Sequence, residues 1–445
     1  RDQCAATRCR GAGSKARVVR KQSPNIEGQV RASCVAIARR TCEATFPLDL
    51  WGLSLRQRLA ACRRSFDSMS RCGRVAGLAS VAVALLAVLL GLGAGGHLGG
   101  FSPLAELAEA LASLSGSPFL LGTLPILVRP ADRAVAFSVA DIPSLKGKTA
   151  VVTGANIGLG FHTALELARK GAKVVITCRS QAKCDTAAAL INKAAAGAGG
   201  RAVPMVAELG SLASTLSFTQ TLLAAHDKLH IIVLNAGIPG PAPQEFTEDG
   251  LDKAFQVNHL SHFLMYKRLE PALKRGAADG LVRVAVVSSA MAYAARTVPL
   301  SLDVLHDPAH YGADRFYAYT KMMNILFAGE VDHRLGSDGI ANAAHPGGVA
   351  SGIWRKEEDK LRGLLPAVMA DRIAIPFLHQ VEASLMWSSA DGALTQLALA
   401  TVVEEGGRMF HPIFRQVELN AVAANRTLAR ELWAFSERVL AEKGY

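Results

Sequence analysis

The chain has 445 residues, of which 50% are apolar and 19% charged, which excludes wholesale disorder and a collagen-like repeat and leaves ample chain for a large core. Its net charge of +12 is local: residues 1–74 hold 16 Lys and Arg against 5 Asp and Glu, whereas residues 75–445 hold 33 against 32. The part long enough to fold is near neutral, which argues against nucleic acid as a partner.

The cysteines divide in the same way. Cys4, Cys9, Cys34, Cys42, Cys62 and Cys72 lie in the first 72 residues, and only Cys178 and Cys184 follow. No pair has CxxC spacing, so no metal site is expected, and the six early thiols are assigned no structural role. Residues 1–68 read as a basic extension with two open interpretations, an organelle-targeting segment or leader sequence upstream of a start at Met69. At 69–100, Arg71 and Arg74 precede Val75–Leu92, an 18-residue run without a charge. That pattern predicts a signal peptide or a membrane anchor, with membrane contact through residues 75–92. The basic flank favours a cytosolic N-terminus, and the organelle, endoplasmic reticulum or plastid among others, stays open. Residues 101–145 form a connector with a short amphipathic helix at 104–114, punctuated afterwards by Pro118, Pro125, Pro130 and Pro143.

From 146 to 445 the pattern becomes that of one domain. Apolar runs at 149–153, 172–177, 230–235 and 283–288 have the length of buried parallel strands, and helical stretches separate them, one from Ser211 to Ala225. Alternation of this kind predicts an α/β fold of the Rossmann type, a doubly wound parallel sheet. The first run leads into Thr153-Gly154-Ala155-Asn156-Ile157-Gly158-Leu159-Gly160 and then a helix. Strand, glycine turn and helix in that order form a pyrophosphate cradle: Gly154 allows the tight turn, and Gly158 and Gly160 let the backbone approach the phosphates. An acid about 20 residues on would favour NAD; the second strand ends instead in Thr177-Cys178-Arg179. Arg179 can pair with a 2′-phosphate, so NADP(H) is expected over NAD(H).

Further motifs follow at intervals: Asn235-Ala236-Gly237, VNHLSHF at 257–263, VVSSA at 286–290, Tyr317-Ala318-Tyr319-Thr320-Lys321, HPGGVAS at 345–351 and LARELWAFSE at 428–437. Together they resemble the short-chain dehydrogenase/reductase family, closest to its retinol dehydrogenase-like branch, over residues 146–445. The resemblance implies Tyr317 as general acid/base, with Lys321 four residues on along the same helix face lowering the phenol's pKa and bonding the nicotinamide ribose. It implies Ser289 as a hydrogen-bond donor to the substrate oxygen and Asn258 as support for a proton relay through water. Tyr293, Tyr311 and Tyr319 lack a Lys at +4, and alternation along the strand lets only one of Ser288 and Ser289 face the site. For the cofactor it implies Asn156, Ile157, Asn235, Ala236 and Gly237 around the adenosine side. After the sixth strand it implies Pro346, Gly347, Val349 and Ser351 at the nicotinamide and phosphate. Glu208-Leu209 stands where the family has Asp-Leu against adenine, and Ser261 where the branch commonly has Gly.

The remaining polar candidates read as structural. His226 and His230 adjoin a strand that must pair, and His259 and His262 are expected to pack or to face solvent. Asn425-Arg426-Thr427 is a glycosylation sequon at the start of a helix, meaningful only on a lumenal face. The apolar segment 352–380 is open between a cover for an apolar ligand and core helix. The expected function is NADP(H)-dependent hydride transfer with a small lipophilic carbonyl or alcohol of retinoid, steroid or isoprenoid type. Two alternatives stay open: reduction of a carbon–carbon double bond in a tetrapyrrole-like pigment, and a nucleotide-binding scaffold without turnover. The resemblance also makes homo-oligomers a common arrangement.

Overall fold

In a β-strand successive side chains point to opposite faces, so a strand covered on both sides must be apolar at every position. The computed structural model describes residues 137–349, 362, 370–376, 379 and 387–445, and its central strands meet that condition. Strand β1 (Thr149–Thr153) leads to helix α1 (Gly158–Arg169), β2 (Lys173–Cys178) to α2 (Gln181–Ala194), and β3 (Arg201–Val206) to α3 (Leu212–Ala225). After β4 (Ile231–Leu234), a π-helical turn, Gln256–Leu260, runs directly into α4 (Ser261–Gly276). Then come β5 (Val282–Val287), α5 (Leu302–His306), α6 (Ala313–Leu335) and β6 (Gly339–Ala344). The chain closes with α7 (Ser389–Thr401), β7 (Met409–His411), β8 (Arg415–Val417) and α8 (Arg426–Glu442).

The strands form one sheet in the order β3-β2-β1-β4-β5-β6-β7-β8. All pairs are parallel except β7 with β8, an antiparallel edge that the sequence pattern does not announce. The order reverses between β1 and β4, where Val152 pairs with Val233. In such sheets a crevice opens beyond the strand ends at this switch point. Pro204 lies on β3 at the sheet edge, where its missing N–H breaks no ladder bond.

The two-residue alternation sorts the core into two layers. Val152, Val174, Ile176 and Val233 pack with Leu167, Leu397 and Phe137 on one face; Val151, Val175, Ile232 and Val286 pack with Phe218, Phe263 and Phe327 on the other. On the first face α1 lies against α7; on the second α3 lies against α4 and α6 against α8. The expected strands appear within one or two residues of their sequence limits. Asn235 falls outside β4 because its N–H turns to the hydroxyl of Thr153 instead of continuing the ladder. Among the described residues no helix is long and apolar enough to cross a membrane; the run at 75–92, the extension and the helix expected at 104–114 lie outside them.

The terminal helix α8 begins at Asn425, whose side chain accepts from the N–H of Leu428 at 3.0 Å. Leu432, Trp433, Phe435, Ser436, Val439 and Leu440 form its buried stripe. Trp433 is the central contact: its ring lies 4.8 Å from Phe263, centroid to centroid, with the Arg334 guanidinium 3.9 Å above it. Truncation there leaves a large cavity behind the helix that carries Tyr317. Trp433→Ala is expected to cost about 3–5 kcal/mol in chemical denaturation, without altering the order of nucleotide preference.

Candidate active site

The glycine loop leaves β1 through Gly154, held at φ +64 with Ala236 so close that an added Cβ would lie 3.0 Å from it. At Gly160 the space is smaller still: a Cβ would meet the Gly154 carbonyl at 2.5 Å and the Asn235 amide nitrogen at 2.6 Å. The helix cap, Ile157, is 70% exposed and has no side-chain oxygen, so the first-turn N–H groups of α1 are left without a side-chain cap. Asn156 makes no hydrogen bond among the described residues. An open helix N-terminus behind a glycine turn suits a diphosphate.

Asn235 and Ala236 are placed by Thr153, whose Oγ1 accepts from both backbone N–H groups at 2.9 and 3.0 Å. The Asn235 amide donates to the Thr153 carbonyl at 2.8 Å. Behind it lies Gln396 of α7, which donates to Thr163 at 2.6 Å and to the Asn235 side-chain oxygen at 3.2 Å. Gln396 is fully buried and was not singled out by its sequence context, since nothing local marks a residue 161 positions from its partner.

Arg179 projects from the end of β2 and is exposed, with no carboxylate paired to it among the described residues. Its loop is closed by a disulfide between Cys178 and Cys184, Cα atoms 5.6 Å apart, joining the strand end to the first turn of α2. The two cysteines stand six residues apart, a spacing that no CxxC pattern marks. Glu208 is turned inward to its own loop, accepting from the N–H of Gly210 at 2.9 Å. Leu209 is buried, and its carbonyl accepts from the Ser261 hydroxyl at 2.7 Å. The hydroxyl at 261 thus adds a tie between α4 and the loop after β3.

Tyr317 and Lys321 stand one turn apart on α6, with the ammonium 5.5 Å from the phenol ring centroid. Burial raises the Tyr317 pKa, and a hydrogen bond with the Ser289 side chain opposes the rise. Ser288 points the other way, its hydroxyl donating to the Lys321 carbonyl at 2.7 Å. Two nearby tyrosines are committed elsewhere: Tyr293 to His411 at 3.2 Å, and Tyr311 to the Pro241 carbonyl.

Lys321 is only 3% exposed. Its ammonium donates to the Val287 carbonyl at 3.2 Å, a carbonyl that Asn324 also reaches at 3.1 Å. No carboxylate faces it among the described residues, and burial lowers its pKa from 10.5 to about 8. A Cβ on Gly237 would lie 3.1 Å from that ammonium and 3.2 Å from the Asn258 side-chain oxygen, so Gly237 keeps the approach to both open. Asn258 itself is fully buried in the π turn. Both amide hydrogens are used, on the Ile238 carbonyl at 2.9 Å and the Thr320 hydroxyl at 3.0 Å, and its oxygen accepts from the Ile238 N–H at 2.8 Å.

On the far side, Pro346 and Gly347 follow β6, and Val349 bridges to Trp387; Ser351 lies outside the described residues, as does most of 352–380. His345 is buried beneath this loop with neither ring nitrogen bonded. Burial, with His411 and Lys321 close by, holds it well below the usual histidine range. An open cradle, a buried ammonium without a counter-charge and an unbonded imidazole fit a bound nucleotide with an anionic diphosphate and a polar ring. His230 accepts from the Thr149 N–H at 3.0 Å and meets Asp279 at 3.1 Å. Neither His259, in the π turn, nor His262, on α4, faces solvent; both are buried. Among the described residues no three metal-ligating side chains gather.

Residues 148–298 match the family model for short chain dehydrogenases. The chain is 34% identical over 305 residues to retinol dehydrogenase 14 of Mus musculus, an alignment covering 66% of this chain and 86% of that one. It is 33% identical over 324 residues to the WW domain-containing oxidoreductase of Gallus gallus, covering 70% of this chain and 72% of that relative. Among solved structures, an uncharacterised protein from Mycobacterium paratuberculosis shares 27% identity and a TM-score of 0.52, covering 68% of this chain and 97% of its own. The chain belongs to the short-chain dehydrogenase/reductase family, in its retinol dehydrogenase-like branch. It is an oxidoreductase of that family, whose members use a nicotinamide cofactor.

The burial of Lys321 has a thermodynamic sign. Its folded pKa, about 8, is below the ordinary 10.5, so between those values the unfolded chain holds the extra proton and stability rises with pH. Below pH 8 the full cost is present. Lys321→Met is expected to stabilise the nucleotide-free protein at pH 7 by up to about 3 kcal/mol. That advantage shrinks as the pH rises from 8 to 10.5, a trend that urea denaturation at pH 7 and pH 10 measures directly.

Proposed function

We propose that the protein is an NADP(H)-dependent oxidoreductase acting on a small lipophilic carbonyl or alcohol, with Tyr317 as general acid/base. The observation that carries the reading is the joint placement of Ser289, Tyr317 and Lys321: a buried phenol whose raised pKa the Ser289 side chain opposes, with a buried ammonium 5.5 Å from its ring centroid. The nicotinamide supplies or takes the hydride when bound. In reduction the Tyr317 phenol gives its proton to the substrate oxygen as that oxygen becomes an alkoxide, while Ser289 holds the oxygen in line. The positive charge of Lys321 stabilises the phenolate left behind, opposing the rise that burial imposes on Tyr317. In oxidation the same proton returns to the Tyr317 oxygen.

Asn258 supports a proton relay through water. With both amide hydrogens engaged, it holds the loop after β4 against α6, and any relay water would meet its backbone carbonyl or the free lone pair of its side-chain oxygen. Arg179 supports NADP(H) over NAD(H) because an exposed, uncommitted guanidinium at the end of β2 offers bidentate pairing to a phosphate. The similarity to proteins named retinol dehydrogenases favours an apolar alcohol or aldehyde. The charge-free run at 75–92 fits delivery of such a substrate at a membrane.

Tyr317→Phe is expected to keep NADPH affinity within about threefold and to lower kcat by a factor of about 10³ or more on any carbonyl that the wild type reduces. Arg179→Ala should lower the preference for NADPH over NADH by at least about tenfold, the loss of one charge-assisted phosphate contact. Calorimetric titration with both nucleotides, followed by nicotinamide absorbance with retinoid, steroid and aliphatic carbonyls, reads both effects. Binding without turnover on every carbonyl would return weight to the double-bond reductase or the scaffold.

A further inference from the structure

A threonine hydroxyl has one proton to give and two lone pairs to receive. At Thr153 both lone pairs are taken, by the backbone N–H groups of Asn235 and Ala236 at 2.9 and 3.0 Å. The one remaining contact of that oxygen is His262 Nε2, 3.0 Å away. The threonine proton must point there, so Nε2 is the acceptor and the imidazole carries its own proton on Nδ1. Nδ1 in turn lies 3.3 Å from the backbone carbonyl of Asn258, one helical turn earlier. The ring is 1% exposed. A second proton, on Nε2, would meet an oxygen with no lone pair to spare.

We infer that His262 is a positioning residue for the proposed reaction, one that as the neutral Nδ1–H tautomer ties the Asn258 carbonyl to Thr153 at the end of β1. The inference rests on the reductase reading of the site. The carbonyl it grips belongs to the π turn Gln256–Leu260, where one extra residue per turn loosens the ordinary helical pairing. It also belongs to the residue whose side-chain oxygen shares the space beside Gly237 with the Lys321 ammonium. Through His262, that carbonyl is fixed to the same hydroxyl that holds Asn235 and Ala236 beside the glycine loop. The cofactor cradle and the Lys321 side of the site thus share one hydrogen-bonded chain: Asn235 and Ala236 to Thr153, Thr153 to His262, His262 to Asn258.

The neighbouring histidine makes the assignment specific. Ser436 donates its hydroxyl proton to the Leu432 carbonyl at 2.9 Å, so its contact with His259 Nε2 at 3.0 Å requires the proton on that nitrogen. The two buried histidines, three residues apart, therefore hold opposite tautomers.

Two substitutions separate the two bonds of His262. The amide of asparagine falls near the place of Nδ1 and reaches the Asn258 carbonyl; the longer glutamine places its amide near Nε2 and reaches Thr153. His262→Asn and His262→Gln each keep one bond and open the chain at the other, so both are expected to lose about tenfold or more in kcat, with KM and NADPH affinity near wild type. A kcat within about threefold of wild type in either variant, or a loss of melting temperature and nucleotide affinity with kcat unchanged, would overturn the positioning role in favour of simple packing. The tautomer is read independently of activity by long-range ¹H–¹⁵N spectra of the full chain in detergent, labelled at histidine nitrogen and assigned with H262N. Protonated Nδ1 with bare Nε2 at His262, and the reverse at His259, supports the inference. Protonated Nε2 at His262 overturns it. A wild type with the expected tautomer and no turnover would count against the reductase reading alone.

Discussion

A buried ammonium without a counter-ion organises this site. Lys321 is buried on α6 beside the end of β5, and the one hydrogen bond of its ammonium among the described residues goes to a backbone carbonyl. Removing a charge from water without pairing it is among the costlier things a fold can do. The surrounding groups hold it in place all the same: Ser288 grips its carbonyl, Asn324 shares Val287, and Gly237 leaves the space above it open. The arrangement makes sense if a polar, anionic molecule completes the site, and the proposed chemistry needs that charge beside the Tyr317 phenol. Stability lost at Lys321 is thus tied to function, in keeping with the strain found at sites where activity requires it.

The second constraint is the switch point of the sheet. Where the strand order reverses between β1 and β4, the strand ends separate, and the groups lining the gap come from distant parts of the chain. Thr153 collects two backbone N–H groups and an imidazole, and Gln396 braces Asn235 from the opposite layer. The helices that carry these groups are held by burial, α7 against α1 and α6 against α8, so the geometry of the crevice depends on packing at residues such as Trp433 that touch nothing reactive.

Much of this was legible in the sequence, for reasons that differ by residue. Strands β1, β2, β4 and β5 declare themselves because strands covered on both faces must be continuously apolar. The glycine turn is legible because it sits between such a strand and a helix. Tyr317 and Lys321 are legible because four residues is one turn, and the resemblance pointed to Ser289 over Ser288. What escaped is what depends on distance along the chain. His262 meets Thr153 across 109 positions and Gln396 meets Asn235 across 161, and no local pattern encodes either. His262 therefore reads as packing or solvent-facing. The partners of the Asn258 side chain, Ile238 and Thr320, also come from other elements. The short strands β7 and β8 hold three residues each, too few for a period to show.

The most direct test is the titration of Lys321 itself, followed by NMR of side-chain-labelled lysine in nucleotide-free and NADPH-bound protein, with Lys321→Met to assign the signal. A midpoint near 8 without nucleotide that moves upward on binding is the predicted result, since an anionic partner favours the charged form. A midpoint at the ordinary lysine value in the nucleotide-free protein, unmoved by NADPH, would contradict it.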